Sequence, residues 1–385
     1  MIVATVCMMR NEEIMAESAI RHWLGFSDFV MVFDHNSTDG TPDILGALRE
    51  EFGERLVPFE LDSPVGIEKI QKRVTNEMIR LAIDEHGADL VLPLDTDEFP
   101  FTPNRRKESV RDVLESLDLD CCYLVRRIPY VLAHDGDLDT SRFLPLSFTQ
   151  TRKPLFLQSP KSIVTGNPYR SDPLFVTMGN HTLYRPSGKD LPPIKDLSPA
   201  LYYAHYPYRD FSHFKTKNAL EWLACYSNPD WRPGTAFHIQ RCVERFLSGA
   251  EASVDYVKWA VFSDFWATGE NIADFQFETI DPHQFFPDLP LVHTHRFAQK
   301  KDPFTLLLEQ SLRLVEQYKA QHGELVDRDK ELEQQKRRNA ALEASRDAQS
   351  RQIATLESSF SYRLGRAATW LPRKLYDSIG KGTRR

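Results

Sequence analysis

Residues 90–99 read Leu-Val-Leu-Pro-Leu-Asp-Thr-Asp-Glu-Phe, which places two aspartates directly after a short apolar run. The run Leu90–Leu94 predicts a buried β-strand, and Asp95 and Asp97 then follow its carboxyl end. Because side chains alternate along an extended backbone, residues two apart can point to one side. Ligands of open α/β sheets bind at the carboxyl ends of the strands. We therefore expect this edge to organise the fold and its site.

Three more strands and three helices precede this run, in the alternating order typical of an α/β fold with a largely parallel sheet. The predicted strands are Ile2–Met8, Phe29–Phe33 and Leu56–Phe59, and the predicted helices are Glu12–Leu24, Pro42–Phe52 and Ile67–His86. From Cys121 to Gln299 the pattern is less regular, with helices expected at Phe211–Cys225 and Ala252–Phe265. The sequence thus predicts an α/β core with a more irregular second half.

The composition is that of a globular protein. The 385 residues are 41% hydrophobic and 27% charged, so we expect one folded domain followed by an extended helical appendage. The formal net charge of −7 excludes a uniformly basic surface of the kind that binds nucleic-acid phosphates. We therefore expect no nucleic-acid partner.

Cysteine usage and hydropathy indicate the compartment. The five cysteines form an odd set without a Cys-x-x-Cys pair, which argues against both a disulfide framework and a zinc site. No apolar run reaches the length of about 18 residues that spans a bilayer as a helix. Met1–Val6 lacks a basic leader and a small-residue cleavage site. These features predict a cytoplasmic protein.

The aspartate pair has the chemistry of a divalent-cation site. Mg²⁺ and Mn²⁺ take oxygen ligands, and such ions usually keep substrate phosphates in their remaining positions. A nucleoside diphosphate leaving group fits this preference, because the cation offsets the charge that builds on it as the bond to a sugar breaks. For an isolated Asp-x-Asp, an acidic turn after a strand is the simpler interpretation, and the neighbouring motifs decide between the two.

A second polar segment, Asp34-His-Asn-Ser-Thr-Asp-Gly-Thr41, lies between a predicted strand and a predicted helix. Short polar side chains and a helix amino terminus can hold a nucleoside and its phosphates there. The alternative is an Asx-rich turn with a helix cap. A calcium-binding loop is excluded, because Gly40 is at the seventh position rather than the sixth and Leu45 stands where a bidentate glutamate belongs.

Together with Met9-Arg-Asn-Glu-Glu13, these two segments resemble the three signatures of glycosyltransferase family 2, in order and at suitable spacing. The similarity covers roughly Ile2 to Lys217 and is greatest to a bacterial branch that opens with Lys/Arg-Asn-Glu. The resemblance implies a GT-A fold, Rossmann-like and nucleotide-sugar-binding, in residues 1–300. Residues 1–120 would be the nucleotide-binding half and 121–300 the acceptor-facing half.

The resemblance also implies roles for individual residues. Asn11, Glu12 and Asp34 would contact the nucleoside, Arg10 would lie near the phosphates, and Asp39 would belong to the same wall of the nucleotide-sugar site.

By the same resemblance, Asp95 and Asp97 would hold Mn²⁺ or Mg²⁺ and the diphosphate, with Asp97 the better candidate for direct coordination.

Histidines are further candidate ligands. Met178-Gly-Asn-His181 and Ala204-His-Tyr-Pro-Tyr-Arg209 resemble a downstream block of this branch, in which a histidine can complete the metal site. His181 and His205 are therefore candidates, and a buried histidine satisfied by a backbone carbonyl is the alternative for each. His293 and His295 alternate as metal ligands on a strand would, but no carboxylate stands beside them in sequence.

The general base that takes the acceptor hydroxyl proton is not identified by the sequence. An inverting transferase needs one carboxylate or histidine for this step. The usual Glu-Asp signature of the family is not evident at the expected distance, so Asp190, Asp196 and Glu98 stay as unranked candidates.

After Pro303 the composition predicts a long helix, residues 304–356, and a basic amphipathic tail, residues 357–385. Leu332, Leu342, Ile353 and other leucines fit a heptad, but polar residues also occupy the seam, so a weak coiled-coil oligomer and a single solvated helix both stay open. The tail could lie on the inner surface of a membrane or dock to a partner protein.

The sequence thus predicts an inverting, metal-dependent glycosyltransferase. It would transfer sugar from a nucleoside diphosphate sugar to a glycan or lipid-linked acceptor in bacterial cell-surface polysaccharide synthesis. A catalytically inactive scaffold of the same fold is the alternative. A sugar nucleotidyltransferase is less well supported, because the segment Met8–Glu12 contains none of the glycines that its phosphate loop would carry.

Overall fold

The computed structural model describes residues 1–60, 67–134, 136–226, 237–247, 254–262, 272–299 and 303–358. The chain divides into two compact units, Met1–Leu314 and Val315–Arg385. No helix among the described residues is long and apolar enough to cross a membrane.

The first half of the sheet is parallel. Strands β1 to β4 are Val3–Met9, Phe29–Asp34, Leu56–Pro58 and Leu90–Pro93, and helices α1 to α3 are Ala16–Leu24, Thr41–Phe52 and Ile67–Asp84. The strands lie in the order β3-β2-β1-β4, as right-handed βαβ crossovers build a doubly wound sheet. The predicted α/β fold is confirmed.

The second half of the sheet is mixed. Its strands β5, β6, β8, β11 and β12 are Glu98–Phe101, Cys122–Pro129, Gln158–Thr165, Ile194–Asp196 and Tyr202–His205. The order continues from β4 as β8-β6-β12-β5, with β8 and β5 antiparallel to their neighbours and β11 beside β6. Strand β12 therefore runs parallel to β4 and ends at the same edge of the sheet.

The remaining elements are short except for the last helix. Strands β7, β9, β10 and β13 are Gln150–Lys153, Phe175–Val176, Leu183–Tyr184 and Gln276–Thr279. Helices α4 to α10 are Val110–Glu115, Gly166–Ser171, Phe211–Tyr226, Phe237–Leu247, Val254–Phe262, His293–Phe297 and Pro303–Ser358. The predicted long helix is confirmed as α10, whereas residues 359–385 of the predicted tail lie outside the described residues.

Two hydrophobic cores cover the two faces of the parallel strands. Alternate residues of β1 pack with α1 and α2 on one face and with α3 on the other, as Cys7 and Val6 illustrate. Trp23 of α1 is fully buried, and its Nε1–H donates to the Glu98 carbonyl oxygen at 3.1 Å. The first core therefore fixes the backbone of the segment that follows β4.

Helix α1 begins at Ala16 rather than at Glu12. The intervening residues form a turn, and the backbone N–H groups of Glu12 and Glu13 donate to Thr41 Oγ1 and Asp39 Oδ2 at 2.8 and 3.1 Å. Hydrogen bonds to the neighbouring loop thus replace the first helical turn that the apolar pattern predicted.

The alternation of His293 and His295, which would place metal ligands on one face of a strand, does not correspond to a strand, because both residues lie in the short helix α9. His293 Nε2 lies 2.8 Å from Glu51 Oε2, and His295 Nε2 lies 3.3 Å from the Ser141 carbonyl oxygen. A helix does not place residues two apart on one face, so these imidazoles point to different partners.

Helix α9 is held by a buried carboxylate of α1. Glu17, with no exposed side-chain surface, accepts hydrogen bonds from the backbone N–H groups of Val292, His293 and Thr294 at 2.8, 2.9 and 2.7 Å. Burial alone would raise the pKa of Glu17, but these three donors together with Arg21 outweigh it and lower the pKa. The carboxylate form therefore stabilises the fold.

We expect the substitution Glu17→Gln to lower the free energy of unfolding by roughly 2–4 kcal/mol, because a neutral amide is a weaker acceptor for three buried donors. Since the folded pKa lies below the unfolded one, the wild-type contribution is present above pH ~4.5 and is lost as the pH falls below it. Urea titrations at pH 4 and 7 measure both effects. Exposed Glu50→Gln is the control, and an equal response of the two variants would contradict this role.

Candidate functional site

The carboxyl ends of β1, β2 and β4 meet at one edge of the sheet. Met9 is paired with Asp34, and Val6 with Pro93, so the segments that follow the three strands emerge side by side. The three sequence motifs are these segments. The parallel strand order thus brings them together, as the sequence pattern predicts.

Asn11 joins the first motif to the second. It adopts a left-handed conformation (φ 54°), its N–H donates to Ser37 Oγ at 2.9 Å, and its Oδ1 accepts from the Thr38 N–H at 2.8 Å. The Asn11 Nδ2 atom is buried and has no hydrogen-bond partner among the described residues. The amide group therefore retains donor capacity beside the loop that starts at Asp34.

Asp34 and Asp39 have different surroundings within the second motif. Asp34 is partly exposed and accepts from Ser37 Oγ at 2.5 Å, and burial raises its pKa. Asp39 is buried, and its carboxylate accepts from the backbone N–H groups of Glu13 and Thr41 at 3.1 and 3.0 Å. Asp39 therefore organises the loop and the start of α2, whereas Asp34 is open to a ligand.

Gly40 is required by close packing. A Cβ atom at this position would lie 2.2 Å from the Phe297 carbonyl oxygen and 3.0 Å from Glu13 Oε2. The loop thus lies against the last residue of α9. Any side chain at position 40 would push the loop away from this helix.

Glu12 connects the first motif to the downstream block. Its carboxylate forms a close ion pair with Arg209, whose side chain is largely buried. Burial raises the pKa of Glu12, and the charges of Arg209 and Lys217 oppose this shift. The pair therefore joins two residues that are far apart in sequence and links the first motif to the downstream block.

Asp95 belongs to a cluster of two carboxylates and two cations. Lys161 of β8 lies 2.5 Å from Asp95 Oδ2 and 3.1 Å from Glu98 Oε1, and Arg127 lies 3.3 Å from the same Glu98 atom. The Lys161 side chain is 1% exposed and Glu98 is fully buried, whereas Asp95 is 35% exposed. Lys161 therefore contacts Asp95 from the buried side, and of the two carboxylates in this cluster only Asp95 is partly exposed.

Asp97 faces a different cation. Lys217 of α6 lies 3.2 Å from Asp97 Oδ2, and His205 Nε2 lies 3.7 Å from the same oxygen. The Tyr206 N–H also donates to the Asp97 carbonyl oxygen at 2.9 Å, which ties this residue to the end of β12. His205, a candidate ligand from the sequence, therefore lies beside Asp97.

The hydrogen bond on the other side of His205 determines its tautomer. Nδ1 lies 2.6 Å from Gln158 Oε1, which can only accept, so Nδ1 carries the proton. Burial, reinforced by Arg127 and Lys217, lowers the pKa of His205 well below its usual value and keeps the ring neutral. Nε2 therefore presents a lone pair to the Asp97 carboxylate. Two facing electron-pair donors of this kind fit a cation between them.

His181 is placed near the first cluster rather than beside Asp97. Its Nδ1 lies 2.8 Å from the Pro160 carbonyl oxygen, and burial lowers its pKa, with Lys161 adding to the effect. Asn180 Nδ2 donates to the Pro93 carbonyl oxygen at 3.4 Å and holds this segment against the end of β4. The backbone acceptor is the structural alternative that the sequence left open.

The described residues contain no group of three histidine, cysteine or carboxylate side chains close enough to enclose a metal ion. A divalent cation at Asp97 and His205, with Asp95 nearby, would need further ligands from a substrate, which is how phosphate-bound Mg²⁺ and Mn²⁺ are usually completed.

The three predicted base candidates do not share one environment. Asp190 lines an exposed groove together with Asp172 and Arg185. Asp196, on β11, pairs with Arg126 of β6, whose Nε lies 2.8 Å from Asp196 Oδ2. Glu98 lies next to the aspartate pair but is fully buried. None of these three placements gives an open carboxylate beside Asp97.

Sequence reasoning missed three side chains that shape the cleft: Lys161, Gln158 and Glu221. Glu221 lies one helical turn after Lys217 on α6, and its side chain is exposed. Partial desolvation raises its pKa, Lys217 lowers it, and Asp97 and Asp95 raise it further. A lysine within the largely apolar end of β8 was the one signal that could have revealed Lys161.

Comparisons with known proteins are distant. No family model matches the chain, and no curated protein is detectably similar to it. Among solved structures, TarS residues 1–349 from S. aureus has 17% identity and a TM-score of 0.33, over 64% of this chain and 72% of that chain.

Two further solved structures were found in complex with Mn²⁺. The Pyrobaculum calidifontis mannosyltransferase with GDP-Man has 14% identity and a TM-score of 0.32, over 66% of this chain and 77% of that one. Glucosyl-3-phosphoglycerate synthase of Mycobacterium tuberculosis with UDP has 14% identity and a TM-score of 0.28, over 60% and 81%. Likenesses this remote carry no argument about the activity of this chain.

Burial raises the pKa of Glu98 to about 7, against the opposing charges of Lys161 and Arg127. Because the folded pKa exceeds the unfolded one, wild-type stability should fall as the pH rises from ~4.5 through 7. The variant Glu98→Gln lacks this titration, so its stability relative to wild type should improve between pH 5 and pH 8. Urea titrations across this range test the prediction, and a constant difference between the two proteins would contradict it.

Proposed function

We propose that this chain is a glycosyltransferase of the GT-A type that uses a nucleoside diphosphate sugar and inverts the anomeric carbon. The observation that carries the proposal is the facing pair of Asp97 and a neutral His205 at the carboxyl edge of the sheet. This site shares one edge with the Asn11 and Asp34 loops, where a nucleoside would lie. The family 2 motifs in the sequence support the same assignment.

Mn²⁺ or Mg²⁺ is the proposed cofactor, and the residues present fit it. Asp97 would supply a carboxylate oxygen and His205 an imidazole lone pair. Asp95 would add a second carboxylate, whose Oδ1 accepts from Gln71 Nε2 at 3.3 Å. When bound, the cation would offset negative charge on a diphosphate leaving group. Gln158 would orient His205, as outer hydrogen-bond acceptors commonly orient histidine ligands.

Protein cations would add to this charge. The Lys217 ammonium group contacts the Asp97 carboxylate. Burial lowers the pKa of Lys217, but the charge of Asp97 raises it by more, so the ammonium form persists. In a donor complex, Lys217 would face the diphosphate, and Lys161 would keep Asp95 in place from beneath. Asp34 and the Asn11 amide would hold the nucleoside, and Arg10 would approach the phosphates.

Glu221 is our proposed general base. Its side chain is exposed and lies on the same helix as Lys217. Desolvation and the negative charges of Asp97 and Asp95 raise the pKa of Glu221. A base with a raised pKa can take the proton from an acceptor hydroxyl as that oxygen attacks the sugar. Asp190 and Asp196, two of the candidates from the sequence, lie beside other residues than the aspartate pair. The third candidate, Glu98, is fully buried and cannot contact an acceptor.

The biological setting is also a proposal. The acceptor would be a glycan or a lipid-linked sugar in bacterial cell-surface polysaccharide synthesis, and the protein would work in the cytoplasm or at the inner membrane. The basic tail, residues 357–385, would provide the membrane or partner contact.

A catalytically inactive scaffold is the second candidate function, favoured by the long helix α10. The two candidates differ in whether the chain turns over a donor.

We expect Asp97→Asn to lower donor hydrolysis or transfer by about 10²–10³-fold, because it removes the proposed cation ligand. Asp120→Asn is the matched control, since Asp120 is exposed and precedes β6 at the opposite edge of the sheet. A panel of nucleotide sugars, assayed with and without Mn²⁺, identifies the donor, and the same panel in a thermal-shift assay reports binding. Equal activity of Asp97→Asn and Asp120→Asn would contradict the proposal.

We expect Glu221→Gln to lower kcat by about 10²–10⁴-fold while leaving the donor-induced thermal shift unchanged, since a base acts on the acceptor. The acid limb of the kcat/KM profile should disappear in this variant. Exposed Glu244→Gln on α7 is the control. A variant with normal kcat would exclude Glu221 as the base without affecting the test of Asp97.

A further inference from the structure

Helix α10 presents an exposed apolar stripe in its last four heptads. Four large apolar side chains of this segment are half exposed or more, so much of their apolar surface faces solvent. They are Leu332, Leu342, Ile353 and Leu356, at 50, 62, 56 and 61%. With Leu332 at heptad position a, Leu342 and Leu356 occupy d and Ile353 occupies a. All four therefore lie on the seam along which a two-stranded coiled coil packs.

The charges beside this seam are complementary in a parallel arrangement. In a parallel, in-register pair of helices, each g residue faces the e residue five positions later on the other helix. This rule sets Glu331 against Lys336 and Arg338 against Glu343. Twofold symmetry repeats each attraction, so four opposite-charge contacts form.

An antiparallel pair cannot form the same contacts. Antiparallel helices bring g residues to g residues and e residues to e residues. Glu331 would then need Arg338, and Lys336 would need Glu343. One antiparallel alignment, centred on residue 337, would satisfy both pairs, but it would set Ile353 against Gln321 and Asn339 against Gln335. The parallel, in-register pair instead sets each of the four apolar seam residues against its own copy, so the apolar contacts favour the parallel arrangement.

We propose that residues 331–356 of α10 form a parallel, in-register coiled-coil dimer with a second copy of this chain. The partner is a second copy because the complementary charges belong to one sequence, and a twofold axis satisfies both pairs at once. The dimer does not depend on the proposed enzymatic activity.

Polar seam residues set the strength and the register of this dimer. Asn339 occupies an a position, where an asparagine pairs with its own copy and favours two strands in register at a cost in stability. Gln335 and Gln349 occupy d positions, and Arg346 occupies a further a position, where it would face its own copy. These three residues weaken the association. The dimer is therefore dissociable, and Arg346→Leu should strengthen it.

Charge reversal tests the pairing. Arg338 has no charged residue three or four positions away in its own helix, so the effect of Arg338→Glu reports contacts between helices. We expect this variant of the full-length chain to raise the dimer dissociation constant about tenfold in analytical ultracentrifugation. Glu343→Arg should do the same, and the double variant should recover most of the affinity.

Arg337→Glu is the matched control, because it makes the same charge change at the adjacent outward f position. It should leave the dissociation constant unchanged. A chain that stays monomeric at all concentrations would overturn the proposal. A dimer equally affected by Arg337→Glu and Arg338→Glu would overturn it too, as would a double variant that does not recover.

Cross-linking tests the direction of the helices. Asn339→Cys should form an intermolecular disulfide under mild oxidation, since a residues at one level of a parallel dimer face each other. Arg337→Cys on the outer face should not, and the parent chain gives the background from its own cysteines. Equal cross-linking of the two variants would exclude the parallel, in-register pairing.

Discussion

Each aspartate of the pair after β4 is held by a lysine from a distant part of the chain, and the cleft depends on this arrangement. Lys161 comes from β8 and approaches Asp95 from the buried side. Lys217 comes from α6, is partly exposed, and contacts Asp97. Two neighbouring carboxylates repel each other, and one ammonium group beside each of them offsets this repulsion. The mixed half of the sheet is therefore part of the site.

The two halves of the sheet contribute different functions to this edge. The parallel strands bring three loops together, and Asp39 and Glu13 fix those loops by accepting backbone hydrogen bonds. The mixed strands add Gln158 and His205, whose hydrogen bond leaves an imidazole lone pair facing Asp97. Arg209 then joins the first loop to the segment after β12 through Glu12. A ligand bound at this edge would contact both halves at once.

The parallel half of the fold could be predicted because its strands and helices have regular hydrophobic periods. The position of Asp95, Asp97 and Asp34 at one edge follows from those periods, and the motif around His205 made this histidine a candidate ligand. Lys161 and Gln158 reach the edge through the pairing of β4, β8 and β6, and Glu221 lies on α6, whose Lys217 contacts Asp97. Apart from the unusual lysine in β8, no local pattern in the sequence reveals these three residues. The alternation of His293 and His295 could not decide between a strand and a helical turn, because three residues are too few to distinguish the two periods.

The central claim is that Asp97 and His205 together hold a divalent cation when a nucleotide sugar is bound. Anomalous diffraction from crystals grown with Mn²⁺ and a non-hydrolysable donor tests it most directly. The account predicts a manganese peak within bonding distance of an Asp97 oxygen and His205 Nε2, with Lys217 moved away from that oxygen. A bound nucleotide with no manganese at Asp97, and with Lys217 still on its carboxylate, would contradict the account.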